Sequence, residues 1–142
     1  MLLVALGLTA CGEPEDTHPG QPVAHRRAAF KEVLKVTEPM GVMLRDETTF
    51  DAKRFAALAQ RLHAVRDGPW GYFGDGTQYP PSHAKDDVWS DTAKFAAAKQ
   101  SFFDATDRLA AVAGTADEAQ AVMAYGALEN TCRNCHKAFK RD

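Results

Sequence analysis

Cysteine is scarce in this chain, long apolar runs are missing, and neither sign of charge predominates. Three cysteines occur in 142 residues, two of them only three positions apart, so no disulfide framework can staple the fold. The apolar stretch 1–8 is far too short to span a bilayer. With 17 Lys and Arg against 19 Asp and Glu, the formal net charge of −2 leaves no basic footprint for a nucleic acid. Strand-like alternation stands out nowhere. What remains is a soluble composition, 45% hydrophobic and 25% charged, long enough for one domain with a real core.

Against that background Cys132-Arg133-Asn134-Cys135-His136 stands near the C-terminus. C-x-x-C-H is the attachment signature of c-type haem. Two thiols bond to the two vinyl groups, and the histidine after the second thiol reaches the iron. On a helix, positions i, i+3 and i+4 share one face, so both sulfurs and the imidazole converge on one flat ring. Other readings exist. A thioredoxin-like pair wants a βαβ context, and this region reads helical. A zinc site wants four ligands, and there is no second cysteine pair. The motif therefore predicts one covalent haem c, with thioethers at Cys132 and Cys135 and His136 as the axial iron ligand.

The third cysteine lies at the other end. Residues 1–8 read as the apolar part of a secretory signal, and Leu8-Thr9-Ala10-Cys11 resembles a bacterial lipobox. No Lys or Arg precedes the apolar run, and simple cleavage is the competing reading. The expectation is a lipidated Cys11 after a signal spanning 1–11, giving a membrane-anchored lipoprotein in the periplasm of a Gram-negative bacterium. Residues 12–21 are rich in Pro, Gly and acid, which predicts a flexible tether with His18 in solvent.

Residues 22–142 form the folded part. Phe30, Val33, Leu34, Thr37, Met40 and Leu44 predict a helix from about Pro22 to Leu44, kinked at Pro39. Phe55, Leu58, Leu62 and Val65 predict a second from about Asp51 to Arg66, capped by Thr48 or Thr49. Residues 67–85 carry too many Gly and Pro for a long helix, yet hold Trp70, Tyr72, Phe73 and Tyr79, so this loop should pack onto something. Val88, Trp89, Phe95, Phe102, Thr106 and Leu109 predict a third helix from about Asp86 to Ala113, ended by Gly114. Thr115-Ala116-Asp117-Glu118 reads as a capping box for a fourth that runs to Phe139. The fold class is all-α, an antiparallel up-down four-helix bundle with haem c on its C-terminal helix.

At this point the chain resembles the cytochromes c prime, the class II c-type cytochromes, over essentially all of 22–142. Arg26-Arg27-Ala28-Ala29-Phe30-Lys31 with Glu38-Pro39-Met40-Gly41 carries the resemblance, as does Gly68-Pro69-Trp70-Gly71-Tyr72-Phe73. So do Lys85-Asp86-Asp87-Val88-Trp89 with Ala93-Lys94-Phe95, and Thr131 to Lys140 around the haem motif. The resemblance implies that Phe30 lies over the distal face of the haem. Members with Leu or Phe there are five-coordinate, and members with Met there are six-coordinate. It implies that positions matching Arg26 and Arg27 contact the haem, with a solvated helix face as the plain alternative, and that Lys85 and Asp86 lie near its edge. Trp70, Phe73 and Val88 are expected to wall the pocket, ordinary core packing being the alternative. Lys140 shares a helical face with His136, where it tunes the imidazole or simply partners the helix dipole. Homodimers through the first two helices are frequent in the family, and a monomer is equally compatible with these residues.

The sixth iron position then decides the function, because a haem with one protein ligand can bind a gas and one with two mainly passes electrons. Met123 shares the helix of His136 and cannot reach the opposite face. Met40 lies about 15 Å along the helix from Phe30. His63 and His83 read as rim or surface residues, and His25 is the alternative ligand. On periodicity alone Phe30 is a plain core aromatic; only the resemblance makes it a gate. The leading expectation is a five-coordinate haem protein binding small gases such as nitric oxide or carbon monoxide and exchanging electrons with a redox partner protein. The alternative is a six-coordinate, dedicated electron-transfer cytochrome. A peroxidase would need a distal acid–base group that Phe30 does not supply, so no enzyme activity is expected.

Overall fold

A computed structural model describes residues 13–45 and 50–141. Helix α1 spans Pro22–Arg45, α2 Ala52–Val65, α3 Asp87–Ser90, α4 Thr92–Ala113 and α5 Glu118–Phe139, with a 3₁₀ turn at Trp70–Tyr72. The four long helices pack in the ring α1–α2–α4–α5, with α4 against α5 as the most extensive pairing. The all-α four-helix bundle expected from the sequence is the fold found. Among the described residues the extended pairing is a single antiparallel bridge between Ala84 and Lys140.

Met40, Phe55, Leu62 and Leu109, placed in the core by periodicity, are fully buried, as is Leu128 on α5, which the sequence reading did not single out, and each contributes about 2 kcal/mol by leaving water. On α2 the seam is Phe55 and Leu62, with Leu58 and Val65 packed at its edges. Helix α1 runs unbroken through Pro39. Tyr125 on α5 donates from its hydroxyl to the carbonyl of Thr37 at 2.9 Å, tying α5 to the middle of α1.

Three helix boundaries differ from expectation, each for a capping reason. The α2 cap is Asp51, whose carboxylate accepts from the Arg54 amide; Thr48 and Thr49 lie outside the described residues. The expected third helix divides at Asp91, which ends α3 and caps α4 by accepting from the Lys94 amide. The apolar period continues across that break, so pattern alone joins the two pieces. The α5 capping box is Asp117 with Gln120, two residues beyond the one expected. Asp117 has the extended backbone a cap requires, and Gln120 returns the hydrogen bond.

Residues 13–21 fold back on the bundle instead of forming a free tether. Asp16 is 1% exposed. Its carboxylate accepts from the amides of Val23 (2.9 Å) and Ala24 (3.1 Å), so it caps α1 from six residues upstream of Pro22. It also accepts from the Tyr79 hydroxyl at 3.1 Å, and His18 stacks on the Tyr79 ring. Farther out, Pro14 accepts from Arg27 and Glu13 pairs with Lys31. The expected lipidation residue, Cys11, lies outside the described residues.

Candidate haem site

Helices α1, α4 and α5 and the 67–85 loop enclose a cavity of about 350 Å³. One wall is α5: Thr131, Cys132, Cys135, His136, Phe139 and Lys140. Cys132, Cys135 and His136 all line it, as the i, i+3, i+4 rule requires. Burial pushes both thiols up, Cys135 to about 11 with Cys132 adding to it, so they are uncharged at neutral pH. His136 is reachable through the cavity. Partial desolvation, and then the Lys140 ammonium four residues on, push its imidazole below the ordinary value. A neutral ring keeps the nitrogen lone pair that a metal needs.

The α1 wall supplies Arg26, Arg27, Phe30, Val33, Leu34 and Thr37. Phe30 is not part of the buried core; it lines the cavity, edge-on to Trp70 at 5.7 Å and to Phe73 at 6.3 Å. Trp70 is itself fixed by a bond from its indole N–H to the Arg66 carbonyl (2.7 Å). Its ring also meets Phe95, Phe102 and Phe103. Two of the four aromatic residues of the breaker-rich loop, Trp70 and Phe73, therefore pack against the cavity, while Tyr72 stacks on His25 and Tyr79 on His18. Leu34, placed by periodicity in the core stripe, is 49% exposed at the cavity's α1 edge.

The two arginines behave differently. Arg26 is buried, with one terminal nitrogen donating to Tyr72 O (2.9 Å) and the other to Ser82 Oγ (2.7 Å) and Thr77 O (3.3 Å). Its guanidinium lies 4.4 Å over the Phe73 ring. It holds the loop in place as well as lining the cavity. Arg27 donates to Pro14 O at 2.7 Å, while its Nε is buried with no partner. Among the described residues no carboxylate lines the cavity.

Of the sequence-predicted site residues, Lys85 and Asp86 do not line this cavity. Lys85 donates from its amide to Phe139 O and from Nζ to Lys137 O, and Asp86 pairs with Arg141 at 3.0 Å. They fasten the last turn of α5, because the loop meets the α5 terminus edge to edge at the Ala84–Lys140 bridge. Val88, Trp70, Phe73 and Lys140 do line it. His83 is exposed as expected but also borders the cavity, a contact that sequence reasoning missed together with that of Phe139. Phe139 follows His136 by three residues, and that spacing could have found it. His83 carries no comparable local signal. Among the alternative ligands, His25 is exposed and stacked on Tyr72, and His63 bonds Asp107. Met40 and Met43 are in the core, and Met123 is 69% exposed. None of these lines the cavity.

The residues present fit a haem. The chamber is walled mainly by hydrocarbon and aromatic rings, and two thiols and an imidazole converge on it.

The comparisons with known proteins agree. A family model described as Cytochrome C′ matches residues 21–140. The cytochrome c′ of Rubrivivax gelatinosus is 34% identical over 123 residues, covering 86% of this chain and 95% of that protein. Its crystal structure aligns with a TM-score of 0.81 at 33% identity, over 89% of this chain and 100% of that one. Cytochrome c prime from Shewanella frigidimarina aligns at 0.82 with 28% identity, covering 89% and 98%. A ferrous variant from Alcaligenes xylosoxidans with bound nitric oxide aligns at 0.81 with 28% identity, covering 90% and 99%. A carbon monoxide-bound variant from that organism aligns at 0.81 with 27% identity, covering 90% and 100%.

Proposed function

The chain belongs to the cytochrome c′ family, whose members carry one covalent haem c, and on that premise we propose that it binds small gases and exchanges single electrons. Cys132 and Cys135 would hold the haem as thioethers, and His136 would ligate its iron. Bound there, haem c supplies a one-electron iron couple and a face for a small ligand. The carrying observation is the composition of the α1 wall. Between Arg27 and Thr37 it presents Phe30, Val33 and Leu34, none of which can ligate a metal or transfer a proton.

That wall would leave the sixth position free, giving a five-coordinate iron. Phe30 excludes water and has no donor for a polar ligand, which disfavours dioxygen and favours neutral gases such as nitric oxide and carbon monoxide. Trp70 and Phe73 hold the Phe30 ring edge-on, so entry of a ligand requires that cluster to yield. Arg27, whose guanidinium is engaged only by Pro14 O among the described residues, is the better partner for a propionate, and Arg26 adds charge while fixing the loop. Lys140 would tune the electron density at His136. With no general acid or base at Phe30, the reading is binding and electron transfer, not turnover.

The test is the absorption spectrum of the reduced protein with and without carbon monoxide. A high-spin spectrum that shifts with the gas is expected. A low-spin spectrum indifferent to it overturns the open position and points to His83, the other imidazole in the lining.

The lipobox-like Leu8–Cys11 supports a periplasmic lipoprotein anchored through Cys11. Among the described residues no helix is long and apolar enough to cross a membrane. Mass spectrometry of the mature N-terminus tests the anchor, and an unmodified terminus downstream of Cys11 refutes it.

A further inference from the structure

We propose that Asp16 tunes the reduction potential of the haem as the counter-charge to Arg26. The proposal rests on the electron-exchange reading above and assigns to it a residue outside the cavity lining. Among the described residues two charged side chains are buried, and they are these two: Asp16 is 1% exposed and Arg26 5%. The Arg26 guanidinium donates to neutral acceptors, Tyr72 O, Thr77 O and Oγ, and Ser82 Oγ. The Asp16 carboxylate accepts from neutral donors, the amides of His18, Val23 and Ala24 and the Tyr79 hydroxyl. A buried charge with no counter-charge is costly. These two share the same two elements. Asp16 caps α1 at Val23 and Ala24, Arg26 follows within a turn, and both reach residues 77–82 of the loop. Burial pushes the Arg26 guanidinium below its ordinary value, and the Asp16 carboxylate opposes that push.

The pair is placed to act on the iron. Arg26 lines the cavity, and Asp16 stands behind it, outside the lining. Reduction adds one electron to the haem, which a guanidinium favours and a carboxylate opposes. Buried charges are screened far less than exposed ones. Glu13, on the same segment, is exposed and paired with Lys31, so solvent and its partner mute its charge.

Spectroelectrochemistry of the holoprotein tests this, on the parent, D16N, D16S, Y79F and E13Q. D16N keeps a side-chain oxygen for the capped amides and removes the charge; D16S does the same with a shorter side chain. Both should shift the one-electron equilibrium toward reduced haem by about threefold, or roughly 30 mV upward. Y79F removes a hydrogen bond from Asp16 and keeps the charge, and E13Q removes an exposed charge from the same segment. Both should keep the parent potential. An unchanged or lowered potential in D16N and D16S overturns the proposal whether or not residues 13–21 stay docked, because the buried charge is gone in either case. A shift in Y79F or E13Q as large as that in D16N overturns it too, assigning the effect to packing or to overall charge. A reversible couple that D16N leaves unmoved refutes the Asp16 assignment alone, whereas a haem that does not cycle reversibly refutes the electron-exchange reading with it.

Discussion

Replacing Gly41 with alanine should destabilise the protein in the native background and stabilise it once the Tyr125 hydroxyl is gone. Gly41 sits in the last quarter of α1, more than a turn from its end, where alanine ordinarily gains about 1 kcal/mol over glycine in a helix. Here a Cβ would lie 2.6 Å from the Tyr125 hydroxyl, while ordinary contact begins at 3.4 Å. The hydroxyl must retreat by about 0.8 Å, the difference between those two distances. Tyr125 is a rigid ring, 8% exposed, with its hydroxyl bonded to Thr37 O at 2.9 Å. Arg45, at 2.9 Å from the same point, is flexible and swings away. Losing a buried hydroxyl's partner costs about 1–3 kcal/mol. The balance for G41A is about 0–2 kcal/mol of destabilisation. In a Y125F background no hydroxyl meets the new methyl, and Thr37 O keeps the helical amide of residue 41. There G41A should stabilise by about 1 kcal/mol, or roughly 3 °C in Tm. The assay is denaturant unfolding of the holoprotein for the four members of this cycle, read by far-ultraviolet circular dichroism. The reasoning fails if G41A stabilises both backgrounds equally. Because Cys132 lies two turns from Tyr125 on α5, the same cycle probes what spaces the thiol-bearing wall from α1.

Phe30→Met should convert the iron to a six-coordinate, low-spin form, and an unchanged spectrum would remove Phe30 from the distal face. Burial alone would raise the pKa of Asp16. The amides of Ala24 and His18, the Tyr79 hydroxyl and the Val23 amide outweigh burial and hold it below the ordinary carboxylate value. Its contribution to stability is therefore present above that ordinary range and is lost as pH falls through the lowered folded value. The stability gap between the parent and D16A, measured by thermal unfolding, should accordingly close in acid; a constant gap would refute the cap. Asp91→Ala should cost about 1 kcal/mol by removing the α4 cap, and no loss in chemical denaturation would mean α3 and α4 tolerate fusion. His83→Ala and His25→Ala should leave the ferrous spectrum unchanged, whereas a switch in coordination with His83→Ala would identify it as the sixth ligand.

Much of this molecule is local, and what is local was legible. The Cys132–His136 spacing fixes a shared helical face without reference to any other segment, and that face lines the cavity. The apolar periods of α1, α2 and α5 identify helices because one face of each must leave water. Where two local signals compete, pattern misleads. The period through 86–113 continues across Asp91, and only the carboxylate reaching the Lys94 amide decides that two helices are made. The α5 cap shifts from Thr115 to Asp117 for a similar reason.

The sequence by itself thus determined the haem-bearing helix, the bundle and the residues able to meet on each helix face, since those follow from 3.6-residue geometry and burial. Only the tertiary structure decided that Asp16 belongs to the fold. Its partners Val23 and Tyr79 lie 7 and 63 residues away, and an acidic, proline-rich segment reads as coil until they are brought to it. Only it separated Arg26, bonded across 46 to 56 residues to the 67–85 loop, from Arg27, which bonds Pro14 O thirteen residues upstream. Only it drew Lys85 and Asp86 away from the site and His83 into its lining. Those assignments depend on which distant donors and acceptors become neighbours when four amphipathic faces close together, and no single segment carries that information.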